Sequence, residues 1–538
     1  MAGYTRHGSI CNIKILESYV AIPSFLYHSF ARLFPRAAIE TKSGTLRANS
    51  ALEAMRGDDG STQYRNESVC LSIREQESDD GTVYRLTLKN LLDKSLRITR
   101  LRFPAWRGLE DILEGFVPEK VAFLRNGYQS WSTTRSYRMH EKPLRPRFRL
   151  VSMVSSNLAN LPSNTPGMLS SEMYTILTEL DEGQSVLVGQ CPPFDQFVYI
   201  ILNLHPKRQR GSYFEIIYDF GRKVLSASQE IELSGLFFTT GPSHRVADRY
   251  FSYVSKESGY QAPEKNRLGW CSWYQYYEHI NPAIILSNLK AAKESRLPFD
   301  FFLIDDGWQA ATGDWLYEAP AFKGRMAELA ASIHDAGMIP GLWLAPFSAA
   351  ANSSLYREHP EYVLRDEWGA SIRAGLNPTW KGFYYGLDVT HPRFREYLSE
   401  VIVTITRDWG FRYLKLDFLF SACLRGANHH ELGLSRAEIL RNGMALIRAA
   451  AVKGTTLVGC GMPLAAGIGT VDSMRIGPDT GDFWVRFEGK LLRTGSMMGL
   501  RNSLRSTMLR APMHGRLWVN DPDCILARAS GTRLSATE

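Results

Sequence analysis

From about residue 265 onward, the sequence alternates short apolar runs with longer amphipathic stretches. The stretches at 282–295 and 435–452 have the length and apolar spacing of helices. Repeated strand–helix units of this kind predict parallel strands joined by helical crossovers. Seven separated runs favour a (β/α)₈ TIM barrel over an open sheet. The seven runs are 268–273, 299–304, 339–345, 413–417, 456–460, 473–476 and 516–519.

The part of the chain before these units is typical of an antiparallel β protein. Residues 82–88 alternate apolar and polar side chains, whereas 197–202 form the continuous apolar run of a buried strand. Polar or glycine-containing breaks separate such segments, which favours a β-sandwich. We therefore predict three parts: an uncertain N-terminal tail over 1–40, a β-sandwich domain over 41–250 and a barrel domain over 251–538.

The end of the chain leaves little room for a complete barrel. After the seventh run and the segment Asn520-Asp-Pro-Asp523, only 534–538 resemble the beginning of another helix. No eighth apolar run follows. The sequence therefore predicts a barrel that closes irregularly or is truncated near strand eight, with strand edges left unpaired.

Composition and charge limit the classes of function. Hydrophobic residues make up 44% and charged residues 22% of the 538 residues, which is typical of a soluble globular protein. The net charge of +8 is small for this length, and the basic segment 207–210 is typical of a solvated turn. We therefore predict no nucleic-acid partner. No apolar run reaches the ~20 residues of a membrane span, so we predict no membrane partner.

Cysteine and histidine usage bears on location and cofactors. The seven cysteines are scattered without a C-x-x-C pair, and their odd number argues against a disulfide framework. His279, His391, His429 and His430 do not have the spacing of a metal site. Residues 1–40 show no clean secretory signal. These observations predict a cytoplasmic protein that needs no metal or other cofactor.

Carboxylates follow several of the apolar runs, where a barrel carries its functional side chains. Asp305 and Asp306 follow the second run, Asp417 ends the fourth and Asp479 follows the sixth. A single Asp after a strand is more often a turn or helix-cap residue than a functional group. The adjacent pair Asp305 and Asp306 weakens that interpretation, because a cap needs only one carboxylate.

The fourth run gives the sharper indication. Lys415 and Asp417 are two positions apart, so their side chains lie on the same side of the strand, which we expect to be the barrel interior. A buried Lys–Asp pair is by itself a weak stabiliser, so a substrate-binding cation beside a nucleophile explains the pair better. The turn Gly477-Pro478 would lift Asp479 above strand six to face strand four. Two carboxyl groups flanking one bond are what glycoside hydrolysis requires.

Tryptophan, cysteine and arginine side chains also lie at or just after the ends of the predicted strands. Tryptophan faces stack on the C–H face of a sugar, although packing at a barrel rim explains Trp308 and Trp343 equally well. With the two carboxylates assigned to catalysis, the remaining polar and aromatic side chains are predicted to bind substrate. They are Asp305, Asp306, Trp308, Trp343, Lys415, Cys460, Arg475 and Trp273.

Six short motifs occur in order along the second half of the chain. They are Gly269-Trp-Cys-Ser-Trp273, Ile304-Asp-Asp-Gly-Trp308, Gly341-Leu-Trp343, Leu414-Lys-Leu-Asp-Phe418, Arg475-Ile-Gly-Pro-Asp479 and Asn520-Asp-Pro-Asp523. Together they resemble the α-galactosidase clan, and most closely glycoside hydrolase family 36. Upstream, Asn126-Gly-Tyr-Gln-Ser-Trp131 is similar to part of that family's N-terminal β-sandwich. The resemblance covers about 120–525.

The resemblance implies roles for individual residues. Asp417 matches the nucleophile of the K-x-D motif, and Asp479 matches the acid/base. Asp305 and Asp306 match the pair that binds the 4- and 6-hydroxyls of galactose.

Further roles follow from the same resemblance. Lys415 and Arg475 match cations that contact substrate, and Trp308 matches the indole beside the sugar. Trp131 is expected to reach into the site of a neighbouring subunit, as in some relatives.

The implied activity is that of a retaining α-galactosidase acting on oligosaccharides or other glycosides. A transferase of the raffinose-synthase type and an inactive, truncated sugar-binding remnant remain alternatives, and self-association into a homo-oligomer is left open. Two features depart from the family pattern. The segment Cys460-Gly-Met-Pro463 differs from the longer glycine-rich motif of bacterial relatives, and we predict that the family's C-terminal β-domain is absent.

Overall fold

The structure, a computed structural model, describes most of the chain between its two ends. The described residues are 36–43, 46–56, 61–104, 117–141, 167–203, 213–262, 266–485, 491, 498–526 and 533. The predicted tail 1–40 lies outside them except for 36–40, which begin the first strand. The predicted turn at 207–210 and the predicted helix start at 534–538 also lie outside the described residues.

Fourteen strands of the first half of the chain form one antiparallel sheet. Its order is β8-β7-β10-β11-β14-β5-β4-β3-β2-β1-β6-β13-β12-β9. The strands are β1 Arg36–Ser43, β2 Leu46–Arg56, β3 Thr62–Arg65, β4 Val69–Ser78, β5 Gly81–Asn90, β6 Leu96–Pro104, β7 Val121–Arg125, β8 Arg135–Arg138, β9 Met168–Glu172, β10 Tyr174–Glu179, β11 Gln184–Cys191, β12 Phe197–Asn203, β13 Tyr213–Leu225 and β14 Glu230–Pro242.

This sheet bends around a single apolar core. In β4 the buried Val69, Leu71 and Ile73 alternate with less buried neighbours, as the two-residue period of a strand requires. Leu71 shares its core with Phe123 of β7 and Ile216 of β13, which lie far apart in the strand order. Strands β7 and β9, near opposite ends of that order, also contact each other. The predicted antiparallel β domain is confirmed, while its division into the two packed layers of a sandwich stays a prediction.

One helix, Ser243–Ser258, leads from the antiparallel sheet to the second half of the chain. Its buried face includes Tyr250 and Phe251 and packs on β11 and β14. Gly189 of β11 lies under Tyr250, where any Cβ atom would overlap the tyrosine ring. The Tyr250 hydroxyl donates a hydrogen bond to the Gln190 carbonyl at 2.5 Å, so the helix is held by packing and by a directed bond.

Seven strands of the second half form one parallel sheet, and each overlaps a predicted apolar run, although the last strand shares only Val519 with the run 516–519. Every strand pairs with its neighbours in chain order, which is the connectivity expected of strand–helix repeats. The strands are β15 Gly269–Cys271, β16 Phe301–Ile304, β17 Ile339–Leu344, β21 Tyr413–Leu416, β22 Thr456–Gly459, β23 Ser473–Arg475 and β24 Val519–Asp521.

The crossover helices begin and end close to their predicted bounds. Asn281 caps the helix Pro282–Glu294, and a reciprocal capping box between Ser435 and Glu438 starts the helix Arg436–Ala450. A cap of this kind stabilises a helix start by about 1 kcal/mol. The other long helices of this half are Met326–Asp335, Pro392–Val403, which continues as a π-helix over Thr404–Asp408, and Leu500–Arg510.

The parallel sheet is curled rather than flat. Phe301 of β16 stacks on Tyr413 of β21 with ring centroids 4.0 Å apart, although β17 lies between these strands in the sheet. In the described part of the chain, β15 pairs only with β16 and β24 only with β23, and no eighth parallel strand is present. The barrel prediction is thus confirmed as a curled parallel sheet with helical crossovers, while its closure stays a prediction.

An insertion between β17 and β21 forms a second antiparallel sheet, which the sequence did not predict. Its strands are β18 Ser348–Ala350, β19 Arg373–Asn377 and β20 Gly382–Gly386, in the order β18-β20-β19. The turn between β19 and β20 carries Trp380, which bonds to a carboxylate at the ends of the parallel strands. No helix among the described residues is long and apolar enough to cross a bilayer.

Candidate active site

The carboxyl ends of the parallel strands gather the predicted carboxylates into one cluster. Lys415 of β21 donates to Asp305 after β16, with 2.8 Å between Nζ and Oδ2. The charges of Lys415 and Asp417 both act on the pKa of Asp479, which follows β23. Residues from three non-adjacent strands therefore surround one space, as the end of a curled parallel sheet allows.

Asp417 is held at the end of β21 by three backbone and side-chain bonds. Its own N–H donates to the Leu344 carbonyl at 2.7 Å. Its carboxylate accepts from the Trp343 indole N–H at 3.2 Å and from the Phe418 backbone N–H at 2.8 Å. Asp417 is 7% exposed, so its carboxylate is oriented and nearly enclosed.

A sharp turn follows Asp417. Phe418 has a positive φ of 53°, which an aromatic residue adopts only when its surroundings hold it there. Gly461 makes the turn possible, because a Cβ atom there would lie 2.9 Å from the Phe418 nitrogen. Gly461 directly follows the predicted strand-end residue Cys460, so the segment after β22 packs closely against this turn.

Lys415 binds Asp305 more directly than it binds Asp417. Burial lowers the pKa of Lys415, but Asp305, Cys271 and Asp417 outweigh burial and raise it well above its ordinary value. Asp305 also accepts from the Cys271 thiol at 3.3 Å, and its backbone N–H donates to the Ser272 hydroxyl. A charged lysine therefore lies between two carboxylates at neutral pH.

Asp306 is enclosed by polar donors. The Trp380 indole N–H donates to it at 2.8 Å and the Gln309 amide at 2.6 Å. Burial raises the pKa of Asp306 to about 6, although these two bonds oppose the shift. Neither Trp380 nor Gln309 was predicted, and only the unusual length of the chain between β17 and β21 pointed to a functional insertion there.

Asp479 belongs to a second network, centred on Arg475. The Arg475 guanidinium, which is 2% exposed, contacts Asp479 at 2.8 Å, Asp523 at 2.5 Å and the Tyr274 hydroxyl at 3.0 Å. Burial raises the pKa of Asp479 to about 6, with Arg475 opposing the shift and Asp523 and Asp417 reinforcing it. The side chain of Asp479 is 37% exposed and that of Asp523 is 5% exposed, so Asp479 is the accessible carboxylate.

The three predicted indoles occupy different positions. Trp308 has no exposed surface, and its N–H donates to the Trp343 carbonyl at 3.0 Å. Trp308 thus supports Trp343, whose own N–H bonds Asp417, instead of presenting a face to the cleft. Trp273 begins the short helix Trp273–Tyr276 and packs edge-on against Tyr277. Its described ring contact is therefore with Tyr277 and not with the carboxylate cluster.

Trp131 of the antiparallel domain meets the strand ends of its own chain. Its indole N–H donates to the Cys460 sulfur at 3.3 Å, and its ring packs edge-on against Phe418 at 4.9 Å. Burial and Asp417 together raise the pKa of the Cys460 thiol well above its ordinary value. Trp131 therefore lies in the wall beside the Asp417 of its own chain, and its expected reach into a neighbouring subunit stays a prediction.

The cluster has the parts needed for acid–base and nucleophilic chemistry. Asp417 is a fixed, nearly buried carboxylate, and Asp479 is an accessible carboxyl group that still carries a proton in mild acid. Charged and polar groups between them can bind hydroxyls. In the described ranges, no three His, Cys, Asp or Glu side chains are grouped so that they could hold a metal ion. An accessible carboxyl group with a raised pKa beside a second, fixed carboxylate is an arrangement typical of glycosidases.

Comparison with known proteins gives the same class. Residues 235–433 match the family model described as Melibiase. A type blood alpha-D-galactosamine galactosaminidase from Flavonifractor plautii is 25% identical over 245 residues, covering 42% of this chain. The aligned segment spans 22% of that relative's own length.

Solved structures resemble the chain over most of its length. An α-galactosidase from Thermus thermophilus, in complex with stachyose, superposes with a TM-score of 0.68 at 26% identity and covers 91% of each chain. The GH36 α-galactosidase AgaA from Geobacillus stearothermophilus gives a TM-score of 0.58 at 12% identity. The match covers 91% of this chain and 64% of AgaA, and this second likeness is one of fold.

Proposed function

We propose that the chain, which is similar to α-galactosidases, belongs to glycoside hydrolase family 36 and hydrolyses terminal α-D-galactosyl residues with retention of configuration. The observation that carries the proposal is the bond between Lys415 and Asp305 at the end of the strand that bears Asp417, near enough to Asp479 for the charges of Lys415 and Asp417 to act on the pKa of Asp479. The substrate class rests on the similar Thermus structure, which holds the α-galactoside stachyose.

The proposed reaction has two steps. The Asp417 carboxylate attacks the anomeric carbon while the bond from that carbon to the leaving oxygen breaks, and Asp479 donates its proton to that oxygen. Water then attacks the same carbon, Asp479 takes a proton from the water, and the bond to Asp417 breaks. Both groups return to their starting protonation states, and two inversions restore the original configuration.

The surrounding side chains are proposed to bind the sugar hydroxyls and the reacting groups. Asp305, Lys415 and Asp306 present charged atoms that can bond hydroxyls. Trp343 orients Asp417, and Trp308 acts through Trp343. Arg475 is proposed to orient Asp479, because its guanidinium contacts that carboxylate directly. For Cys460 we propose a place in the wall beside Asp417, whereas nothing in the described contacts supports Trp273 beyond its position.

We infer that the curled parallel sheet is the wall of a (β/α)₈ barrel. The stacking of Phe301 on Tyr413 and the bond from Lys415 to Asp305 both cross the interior of the sheet, which a flat sheet would not permit. A reducing, cytoplasmic location is also inferred, because the six described cysteines carry free thiols.

The test is a panel of p-nitrophenyl α-glycosides. We expect the α-galactoside to exceed the α-glucoside and the α-N-acetylgalactosaminide in kcat/KM by about 100-fold or more, because a site that bonds particular hydroxyls rejects the 4-epimer and the sugar whose 2-hydroxyl is replaced by an acetamido group. Proton NMR of the first product should show the α anomer before mutarotation. A preference for the N-acetylated sugar would overturn the substrate, a β product would overturn retention, and no turnover of any glycoside would overturn the activity.

The value of kcat/KM should decrease as the pH rises above about 6. Asp479 must be protonated to donate to the leaving oxygen, and its pKa is raised to about 6. The proton is present below that value and is lost as pH rises through it, so kcat/KM decreases on the alkaline side. In Asp523→Asn the loss of a neighbouring negative charge lowers the pKa of Asp479, so this limb should move to lower pH.

The control for this shift is Asp248→Asn, which removes an exposed ion pair with Arg516 far from the cluster. It should leave the limb in place. A limb that does not move in Asp523→Asn, while the variant keeps the thermal stability of the control, would show that Asp479 is not the titrating acid.

A further inference from the structure

Arg510 is a fully buried cation at the end of the helix Leu500–Arg510. In the described part of the chain, no carboxylate forms a salt bridge with it. Its guanidinium donates instead to the backbone carbonyls of Ser130 at 2.7 Å, Ile476 at 3.0 Å and Ser132 at 3.1 Å. Weaker bonds reach Gly127 and Gln129 at 3.4 Å. Such a charge is expensive to bury, so its retention calls for a specific reason.

The carbonyls that accept from Arg510 belong to two parts of the candidate site. Four of them lie in the segment 126–132, which follows β7 of the antiparallel domain and carries Trp131. We call this segment the Trp131 loop. The fifth, Ile476, directly follows Arg475, whose guanidinium holds Asp479. One side chain thus joins the Trp131 loop to the strand end that carries the proposed acid.

The Trp131 loop also contacts the residues after β22. The Ser130 N–H donates to the Met462 carbonyl, and the Leu464 N–H donates to the Tyr128 carbonyl, both at 3.1 Å. Trp131 itself touches Cys460 and Phe418, the neighbours of Asp417. A shift of the loop would therefore move the wall beside Asp417.

We propose that Arg510 is a positioning residue that fixes the Trp131 loop relative to the strand end bearing Asp479. The antiparallel domain would then contribute directly to the structure of the proposed active site through the Trp131 loop. This inference rests on the proposed function for its kinetic effect, but the geometry it asserts can be measured without turnover.

The main experiment is a double-mutant cycle of Arg510→Lys and Trp131→Phe. Lysine keeps the charge but loses the fork of donors, so the loop should shift. Because a displacement of about 1 Å can cost about 100-fold in rate, we expect kcat/KM for the aryl α-galactoside to fall by about 10- to 100-fold in Arg510→Lys. The double variant should fall little further than the worse single variant, since both changes act on one wall.

A spectroscopic measurement accompanies the cycle. In protein labelled with 5-fluorotryptophan, the ¹⁹F resonance of Trp131 is identified by its loss in Trp131→Phe, and that of the exposed Trp368 by its loss in Trp368→Phe. Arg510→Lys should shift or split the Trp131 resonance and leave that of Trp368 unchanged. The matched control is Arg516→Lys, which makes the same exchange at an exposed contact with Asp248 of the helix Ser243–Ser258 and should move neither resonance.

The outcomes separate the two proposals. An unmoved Trp131 resonance in folded Arg510→Lys, or additive losses in the cycle, would overturn the positioning role. If Arg510→Lys does not fold, hydrogen exchange on the wild type decides: 126–132 and 474–477 should open together, and independent opening overturns the inference. If the wild type lacks glycosidase activity but the resonance moves, the positioning role stands and the proposed function fails.

Discussion

Asp417→Ala is expected to lose roughly four to six orders of magnitude in kcat, because losing the proposed nucleophile would remove the whole covalent route. Sodium azide should restore turnover of an activated aryl α-galactoside. The small anion can enter the space left by the carboxylate and attack the anomeric carbon from the same face. Attack by azide happens once, without a second inversion, so the product should be the β-galactosyl azide.

The measurement is steady-state kinetics with product analysis by NMR. Asp417→Asn provides a near-isosteric variant that should be equally inactive but poorly rescued, because the amide still fills the space. The control Asp408→Asn changes an exposed aspartate paired with Arg407 and should keep wild-type rates. Turnover within tenfold of the wild type in folded Asp417→Ala would remove Asp417 from the reaction.

The parallel half of the fold was predictable because its signal is local. The strand Tyr413–Leu416 is buried along its whole length, and a short, mainly apolar run between helical stretches is recognisable without knowing its neighbours. The inserted sheet was not predictable for the opposite reason. Its strands, such as Ser348–Ala350, are short, and their pairing depends on contacts across many residues of chain. Nothing in their own residues distinguishes them from a loop.

The sequence predicts which site residues lie at the ends of the parallel strands. It does not predict how a side chain is oriented when packing against distant residues determines that orientation. Asp305, Lys415 and Asp417 meet because parallel strands end at one edge. Trp308 follows its strand in the same way, but contacts with Trp315 and Trp409 turn it into the core. A tryptophan after a turn can face either way, and only the complete set of neighbours decides which. The link from Arg510 to the Trp131 loop likewise depends on residues separated by hundreds of positions.

The antiparallel half shows a related limit. Alternation at Val69–Ser78 identifies a strand with one buried face, but not the strand on which that face packs. The sequence therefore predicts only a fold class, a β-sandwich, and not the way in which fourteen strands bend around one core. The contact that matters for the proposed function is that of Trp131 with Cys460. It depends on the position of one loop of this domain, which a fold class does not specify.

In Asp479→Ala the loss of activity is expected to be larger for substrates whose leaving group must be protonated than for substrates with an activated leaving group. A general acid contributes roughly 10²- to 10⁴-fold, so hydrolysis of an α-galactosyl oligosaccharide should fall by about that factor. An activated aryl galactoside such as the 2,4-dinitrophenyl derivative leaves without protonation, so its first step should change far less. The second step still lacks its base, and a burst of phenol followed by slow turnover is expected.

Asp523 offers the critical comparison for that result, because it shares the Arg475 guanidinium with Asp479 but is almost completely buried. Measured at a pH below the alkaline limb, where Asp479 stays protonated, Asp523→Ala should slow both substrates by similar factors, since it disturbs the network without removing the proton donor. If the rate loss depended on the leaving group in Asp523→Ala but not in Asp479→Ala, the role of general acid would pass to Asp523. Loss of both substrates equally in Asp479→Ala, with no burst, would mean that this carboxyl group positions the substrate and does not transfer a proton. The exposure of the two carboxylates favours Asp479, because a group that protonates a departing oxygen must reach the space that the oxygen leaves.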